Sequence, residues 1–310
     1  MSFGGFYGAT SEAEAHRTLS AALDLGIDHL DTSNVYGLGV SESFIGSFIQ
    51  SDASKFSVAT KAGIQRDASS GNRGFNNQPD YLRAELEGSL RRLGLDHVDL
   101  FYVHRRDPTI QIEDVMETLL ALKNEGKIGG IGFSEISPAS LRRAMAIGPV
   151  DAVQSEYSLW SRLPDLGLRQ TCKELGVALV AFSPLARGML SSTTPDPKTF
   201  LDKDFRKNNP RFVEPNFGFN LPYAKAFQTF ARDNGTSPTA MALAWCLAQG
   251  DHVIPIPGTR SAEHLAECAA ASELDLSQAM LDEIEKILPS GWAHGDRYSK
   301  AQWNGPEGYC

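Results

Sequence analysis

The chain has 310 residues, 42 % hydrophobic and 22 % charged, enough apolar material for one large core, so a single domain over residues 1–310 is expected. Its formal net charge of −9, from 38 acidic and 29 basic residues with no Lys/Arg run, argues against a nucleic-acid partner. No apolar run approaches the roughly 20 residues of a membrane span and no basic-then-apolar leader opens the chain, so a cytoplasmic protein is expected, with no membrane partner.

In chain order, a Gly-rich loop over residues 1–8 leads straight into a helical pattern at 11–25, whose Ser11-Glu12-Ala13-Glu14 start fits a capping box. Strand-sized apolar runs follow at 27–31 and 56–61, then a helix at 81–93, a strand at 98–104, a helix at 112–125 and a strand at 129–134. The alternation continues with a helix at 138–146, a strand at 152–156, a helix at 165–175 and a strand at 178–183. A long connection over 191–220, with Arg206, Pro210, Phe212 and Phe217, precedes a helix at 238–248 and a last strand at 253–256. That connection either closes over a ligand or packs on its own aromatics at the surface. Gly26, Gly94, Gly126 and Gly176 each fall where a helix should stop. The scattered Cys172, Cys246, Cys268 and Cys310 are at neither metal nor redox spacing and read as reduced, mostly buried thiols.

Alternating β and α units predict a parallel sheet closed into a (β/α)8 barrel. An open doubly wound sheet is the rival, but no G-x-G-x-x-G follows a strand and opens a helix. Seven strands are one short of eight, and the deficit lies at the start. The expectation is a barrel whose first strand is missing or lies upstream of residue 1.

Three strand ends carry reactive side chains: Asp31, Lys61 and His104, with Tyr36 close behind Asp31 in Asp31-Thr32-Ser33-Asn34-Val35-Tyr36-Gly37. In a parallel barrel these ends share one face. Singly, each has a plain structural reading: a turn cap, a loop aromatic, a surface charge, a core-edge imidazole. Together they outline a proton-transfer site.

These motifs resemble the aldo-keto reductases. Asp31, Tyr36, Lys61 and His104 match that family's tetrad within DTSNVYG, VATKAG and DLFYVH, and the likeness runs from residue 1 to about 289. GFSE, SEYSLW and NPRFVEPNFGFN look most like its pyridoxal-reductase-like and perakine-reductase-like branch. The resemblance implies a small-molecule carbonyl substrate and NADPH, since hydride is beyond any side chain. Tyr36 would be the general acid, eased by the Lys61 charge; Asp31 would hold Lys61, and His104 would give a second hydrogen bond to the substrate oxygen. It further implies Ser134, Gln154 and the stacking Phe182 at the nicotinamide, and Ser183, Pro184, Leu185, Arg187 and Gly188 around the pyrophosphate. Ile256, Gly258, Thr259, Arg260 and Ser261 would hold the phosphate, with His264 at the adenine and Cys268 packed. Glu135 stands where the family often has Asn; it either accepts from the carboxamide or, as the better reading before Ser137-Pro138, caps the next helix. Trp160 is a candidate pocket wall. The tail over 291–310, with Trp292, His294, Trp303 and Tyr309, would line the pocket or dock on another subunit of a homo-oligomer. An alternative of another class is an NADPH-binding redox-sensing subunit with little turnover, and a third is a non-redox barrel enzyme.

Overall fold

The computed structural model of the protein describes residues 3–4, 8, 10–50, 55–66, 73–202, 204–300 and 302–309; most of the Gly-rich loop over 1–8 and Cys310 lie outside them. Seven parallel strands form one sheet: β1 (His29–Asp31), β2 (Ser57–Ala62), β5 (Val98–Val103), β6 (Ile128–Ser134), β7 (Ala152–Glu156), β8 (Ala178–Phe182) and β9 (Val253–Ile256), neighbours in that order. They coincide with the seven apolar runs. A short antiparallel hairpin, β3 (Ile64–Arg66) with β4 (Arg73–Phe75), follows β2.

Around the sheet lie α1 (Glu12–Asp24), α2 (Val40–Ile49), α3 (Pro79–Leu93), α4 (Ile112–Asn124), α5 (Pro138–Ile147), α6 (Leu168–Leu175), α7 (Asn216–Asp233), α8 (Pro238–Leu247), α9 (Ala262–Ala269) and α10 (Gln278–Ile287). The capping box of α1 is formed, Ser11 accepting from Glu14 N–H while Glu14 reaches back to Ser11. The expected helix over 165–175 is split: Gly167, at φ 118°, ends a 3-10 turn (Leu163–Leu166) before α6 begins. Only glycine enters that backbone region without strain. Among the described residues no eighth strand joins β1 to β9. The helical layer nevertheless continues across that seam, where α1 packs on α9 and Thr18 Oγ1 donates to the Arg260 carbonyl at 3.2 Å.

Strand alternation sorts the side chains into two layers. Leu30, Val58, Phe101, Val103, Ile131, Phe133, Val153, Leu179, Ala181 and Val253 face the helices and build the main core. The intervening positions face the barrel axis, where Ala59, Tyr102, Ala152 and Val180 pack with Leu100, Ala178 and Ile256. The interior is filled by one large ring among small residues. A Cβ on Gly132 would come within 2.4 Å of the Tyr102 ring, so a residue with no side chain is required opposite it. Cys172, Cys246 and Cys268 are buried free thiols, and no helix among the described residues is long and apolar enough to cross a membrane.

Candidate active site

The inward register continues to the C-terminal ends of the strands. Asp31, Lys61, Ser134, Gln154, Phe182 and Ile256 each lie two residues beyond an inward-facing position or on the same alternation, and His104 follows Tyr102 in the same way. Ser134 and Gln154 are register partners across β6 and β7, as are Phe182 and Ile256 across β8 and β9. The polar ends of the barrel axis therefore converge by pleat alone.

The turn after β1 is tied to β2 beyond the formal end of the strand. Thr32 N–H donates to Ala59 O at 2.9 Å and Asn34 N–H to Lys61 O at 3.3 Å, while Tyr36 N–H closes on Ser33 O at 3.1 Å. Thr32 and Ser33 are wholly buried. A Cβ on Gly4 would lie 2.0 Å from Gly37 N, and one on Gly37 would lie 2.6 Å from Gly4 Cα. Two glycines are needed for backbone to cross backbone there, and the crossing pins the loop carrying Tyr36.

Lys61 is fully buried and paired with Asp31, itself 6 % exposed. The ammonium also donates to the Thr32 carbonyl at 2.7 Å and lies 5.4 Å from the Tyr36 ring centroid and 5.6 Å from that of Tyr102. Gln154 Nε2 donates to the other Asp31 oxygen at 2.8 Å. Burial pushes the Asp31 carboxyl up, but the Lys61 charge and the hydrogen bonds from Lys61 and Gln154 outweigh it and leave the pKa below the ordinary carboxylate value. The His104 ring meets Tyr36 edge-on, centroids 5.9 Å apart. All four residues of the sequence-derived tetrad are thus neighbours, with a cation held under a phenol.

Ser134 accepts from Arg105 Nη1 at 2.9 Å, and Arg105 also holds the His104 carbonyl at 2.6 Å. The Ser134 proton is left for another acceptor. Beyond β8 the chain turns sharply: Ser183, Ala186 and Arg187 all have positive φ, which crowds the Ser183–Gly188 backbone into a tight loop with Pro184 buried and Leu185 half-buried. Arg260 and His264 are exposed at the start of α9, Gly258 is exposed just ahead, and Thr259 and Ser261 are half-buried. Ser261 caps the helix, its Oγ accepting from His264 N–H at 3.2 Å. Cys268 packs with Ala240, Leu243 and Ala271. The hydroxyl, amide, aromatic face and guanidinium present here are a donor set that suits a phosphorylated nicotinamide dinucleotide.

Two residues behave differently from expectation. Arg187 has its guanidinium in a buried network, donating to Glu156 Oε2 at 2.7 Å and to the Arg297 carbonyl at 2.9 Å, between the Phe205 and Tyr298 rings. Glu135 does not cap α5; Ser137 does, accepting from Ser140 N–H. Glu135, at φ 59°, is instead clamped by both terminal nitrogens of Arg297, at 2.5 and 3.0 Å, and accepts from Glu156 N–H at 2.8 Å. Burial raises its pKa, yet Arg297 and Arg105 hold it below the usual range.

Arg297 belongs to the tail, which straps across its own barrel. Trp292 Nε1 donates to Leu159 O at 2.7 Å, Glu307 N–H donates to Glu135 O at 2.9 Å, and Glu307 Oε2 accepts from Ser137 N–H at 2.8 Å. Trp160 is 4 % exposed and stacks on Trp292 at 5.7 Å, with Phe212 on its other flank and Arg211 over it; it is packed beneath the tail rather than open as a wall. The 191–220 connection packs Phe200, Phe212 and Phe217 on one another and also reaches Arg187 through Phe205. Arg105, Glu156 and Arg297 were not singled out in the sequence, where each looks like an ordinary surface charge.

The aldo/keto reductase family matches residues 1–289. An aldo-keto reductase of Schizosaccharomyces pombe, yakc, designated NADP(+), is 38 % identical over 303 residues, which is 96 % of this chain and 89 % of that protein. The glycerol dehydrogenase AKR11B4 of Gluconobacter oxydans is similar in structure at TM-score 0.84 and 30 % identity, over 93 % of this chain and 89 % of that one. The holo form of aldo-keto reductase AKR11C1 from Bacillus halodurans gives 0.76 at 25 %, over 93 % and 91 %. With that match spanning nearly the whole barrel, and the reactive side chains gathered at its C-terminal mouth, the chain belongs to the aldo/keto reductase family.

Proposed function

We propose that this chain reduces an aldehyde or ketone to an alcohol with NADPH, Tyr36 giving the proton. The observation that carries the reading is the buried Lys61–Asp31 pair lying against the Tyr36 ring, with His104 edge-on to the same ring. Proton delivery to an incipient alkoxide needs an acid within hydrogen-bond reach. A phenol is a weak acid near neutrality, and a cation beside it favours the phenolate and so eases release of the proton. Asp31 pairs with that cation and aims it, and Gln154 holds Asp31 from the other side.

NADPH, when bound, supplies the hydride. Ser134 and Gln154 would hold its carboxamide and Phe182 would face its ring; the Ser183–Gly188 loop would offer backbone N–H groups to the pyrophosphate, and Arg260 with the capped start of α9 would hold the extra phosphate. The Arg187 guanidinium, which donates to Glu156 and to the Arg297 carbonyl, would shape that loop around the pyrophosphate. The branch likeness in the sequence favours pyridoxal-like aromatic aldehydes, and the glycerol dehydrogenase relative adds short polyols and their carbonyls to the panel worth trying.

The test is loss of nicotinamide absorbance on mixing the protein with NADPH and such a panel. Tyr36→Phe should abolish it; full activity in that variant refutes the mechanism. Tight NADPH retention with negligible turnover on every carbonyl would turn the reading to a redox-sensing binding subunit.

A further inference from the structure

Ser33 is wholly buried between two of the strand ends that carry the chemistry. Its Oγ lies 3.0 Å from His104 Nδ1, 3.2 Å from the Lys61 carbonyl oxygen and 3.2 Å from Asn34 Oδ1, and Val35 N–H reaches it at 3.5 Å. A hydroxyl has one proton to give and two lone pairs with which to accept. The Lys61 carbonyl can only accept. Asn34 presents its oxygen because its Nδ2 is committed to Glu85 Oε2 at 2.7 Å. Of the three close neighbours, only His104 Nδ1 is able to donate.

Proton counting then selects one polarity. With Nδ1–H donating to Ser33 Oγ, the Ser33 proton is free for Asn34 Oδ1, the Lys61 carbonyl already accepts from Asn34 N–H, and every member of the chain is satisfied. With Ser33 donating to Nδ1, its single proton is used on the nitrogen and Asn34 Oδ1 loses it, while the Lys61 carbonyl keeps Asn34 N–H. Leaving a buried acceptor without a donor is unfavourable, so the first arrangement prevails.

We propose that Ser33 sets the tautomer of His104: neutral His104 carries its proton on Nδ1 and leaves Nε2 unprotonated. Ser33 is wholly buried and acts through His104, which makes it a positioning residue. The Tyr36 ring meets the imidazole edge-on, Arg105 holds the His104 carbonyl, and Glu85 lies behind Asn34. The consequence rests on the reductase reading: neutral His104 accepts a hydrogen bond from an alcohol or the Tyr36 phenol, and it donates to a carbonyl oxygen only as imidazolium. The substrate-donating role expected of His104 therefore belongs to one of its two charge states.

The tautomer is read directly by long-range proton–nitrogen correlation on protein labelled with nitrogen-15 histidine. The spectra are recorded at pH 8, and the neutral ring is recognised by having one protonated and one unprotonated nitrogen. The chain has seven histidines, and the His104 signals are those lost in His104→Gln. The wild-type protein should show a protonated Nδ1 and a bare Nε2; Ser33→Ala should shift the proton to Nε2, and Ser33→Thr, which keeps the hydroxyl, should retain the wild-type pattern. A protonated Nε2 in the wild-type protein overturns the proposal without any variant, and an unchanged pattern in folded Ser33→Ala does so independently. The measurement needs neither NADPH nor turnover, so a chain inactive on every carbonyl would sink the reductase reading and leave this result standing.

Discussion

Replacing Lys61 with methionine removes a buried ammonium while leaving most of its volume filled, and the cost falls on Asp31. In the intact protein Asp31 takes hydrogen bonds from Lys61 and from Gln154; in Lys61→Met it keeps the second of these. Removing one partner of a buried ion pair costs about 3–5 kcal/mol, because the other charge is left without compensation. The pH dependence separates this from a mere packing defect. In the wild-type protein the folded Asp31 pKa lies below its ordinary value, so its contribution to stability is present above the unfolded pKa of about 3.9 and is lost as pH falls through the folded value. In Lys61→Met the largest of the causes that lower it is gone, and burial should carry the folded carboxyl above its unfolded pKa. The sign then reverses: the folded state binds the proton more tightly than the unfolded chain, so the penalty is small in acid and grows as pH rises from the unfolded toward the folded pKa. Urea unfolding of both proteins at pH 5 and pH 7.5 measures this, and the deficit of the variant should be larger at the higher pH. A deficit under about 1 kcal/mol at pH 7.5, or one of equal size at both pH values, would refute the view that Lys61 is what keeps Asp31 ionised. The turnover of the same variant should fall by roughly 10²–10⁴, the range in which a positioned proton-transfer group contributes.

Two further outcomes are expected. Arg297→Ala leaves Glu135 buried without its clamp, which should cost about 3–5 kcal/mol and make the chain beyond Trp292 the first segment cut by a dilute protease; Arg297→Lys, which keeps the charge but not the two-pronged grip, should lose less. Arg260→Ala should raise the KM for NADPH by roughly 10- to 100-fold, the value of one or two charge-assisted bonds, while leaving the KM for NADH nearly unchanged; an equal rise for both cofactors would remove Arg260 from the extra phosphate.

What could be read in the sequence and what could not divides along the barrel's own geometry. All seven sheet strands stood out because a strand covered by helices on one side and by the barrel interior on the other reads as a nearly continuous apolar run bounded by polar or glycine residues. Two of the helices not read from the sequence lack that contrast. α2 follows directly on the Gly37-Leu38-Gly39 turn and starts at a left-handed Gly39 with no side-chain cap, and α7 carries Pro222 inside it. The pair β3 and β4 is three residues on each side, below the length at which alternation can be seen.

The same contrast governs the site. Asp31, Lys61 and His104 were legible because a polar side chain at the inward-facing end of an apolar strand has nowhere to go but the mouth of the barrel, whereas Ser134 and Gln154 came from the family resemblance and lie on the same alternation. Strand period specifies that direction without any knowledge of partners. Glu135 and Arg297, 162 residues apart, meet only because the tail is threaded by Trp292, Asn220 and Glu307 across the rim, and each alone reads as a solvated charge. Ser33 and His104 sit between these cases. Both lie at strand ends that the sequence marks, but their contact depends on the β1 turn extending its pairing to Lys61 O. Periodicity thus delivers the reacting groups to one place, while the hydrogen-bond polarity that decides how His104 acts is set by a turn whose backbone follows β2 beyond the end of its own strand.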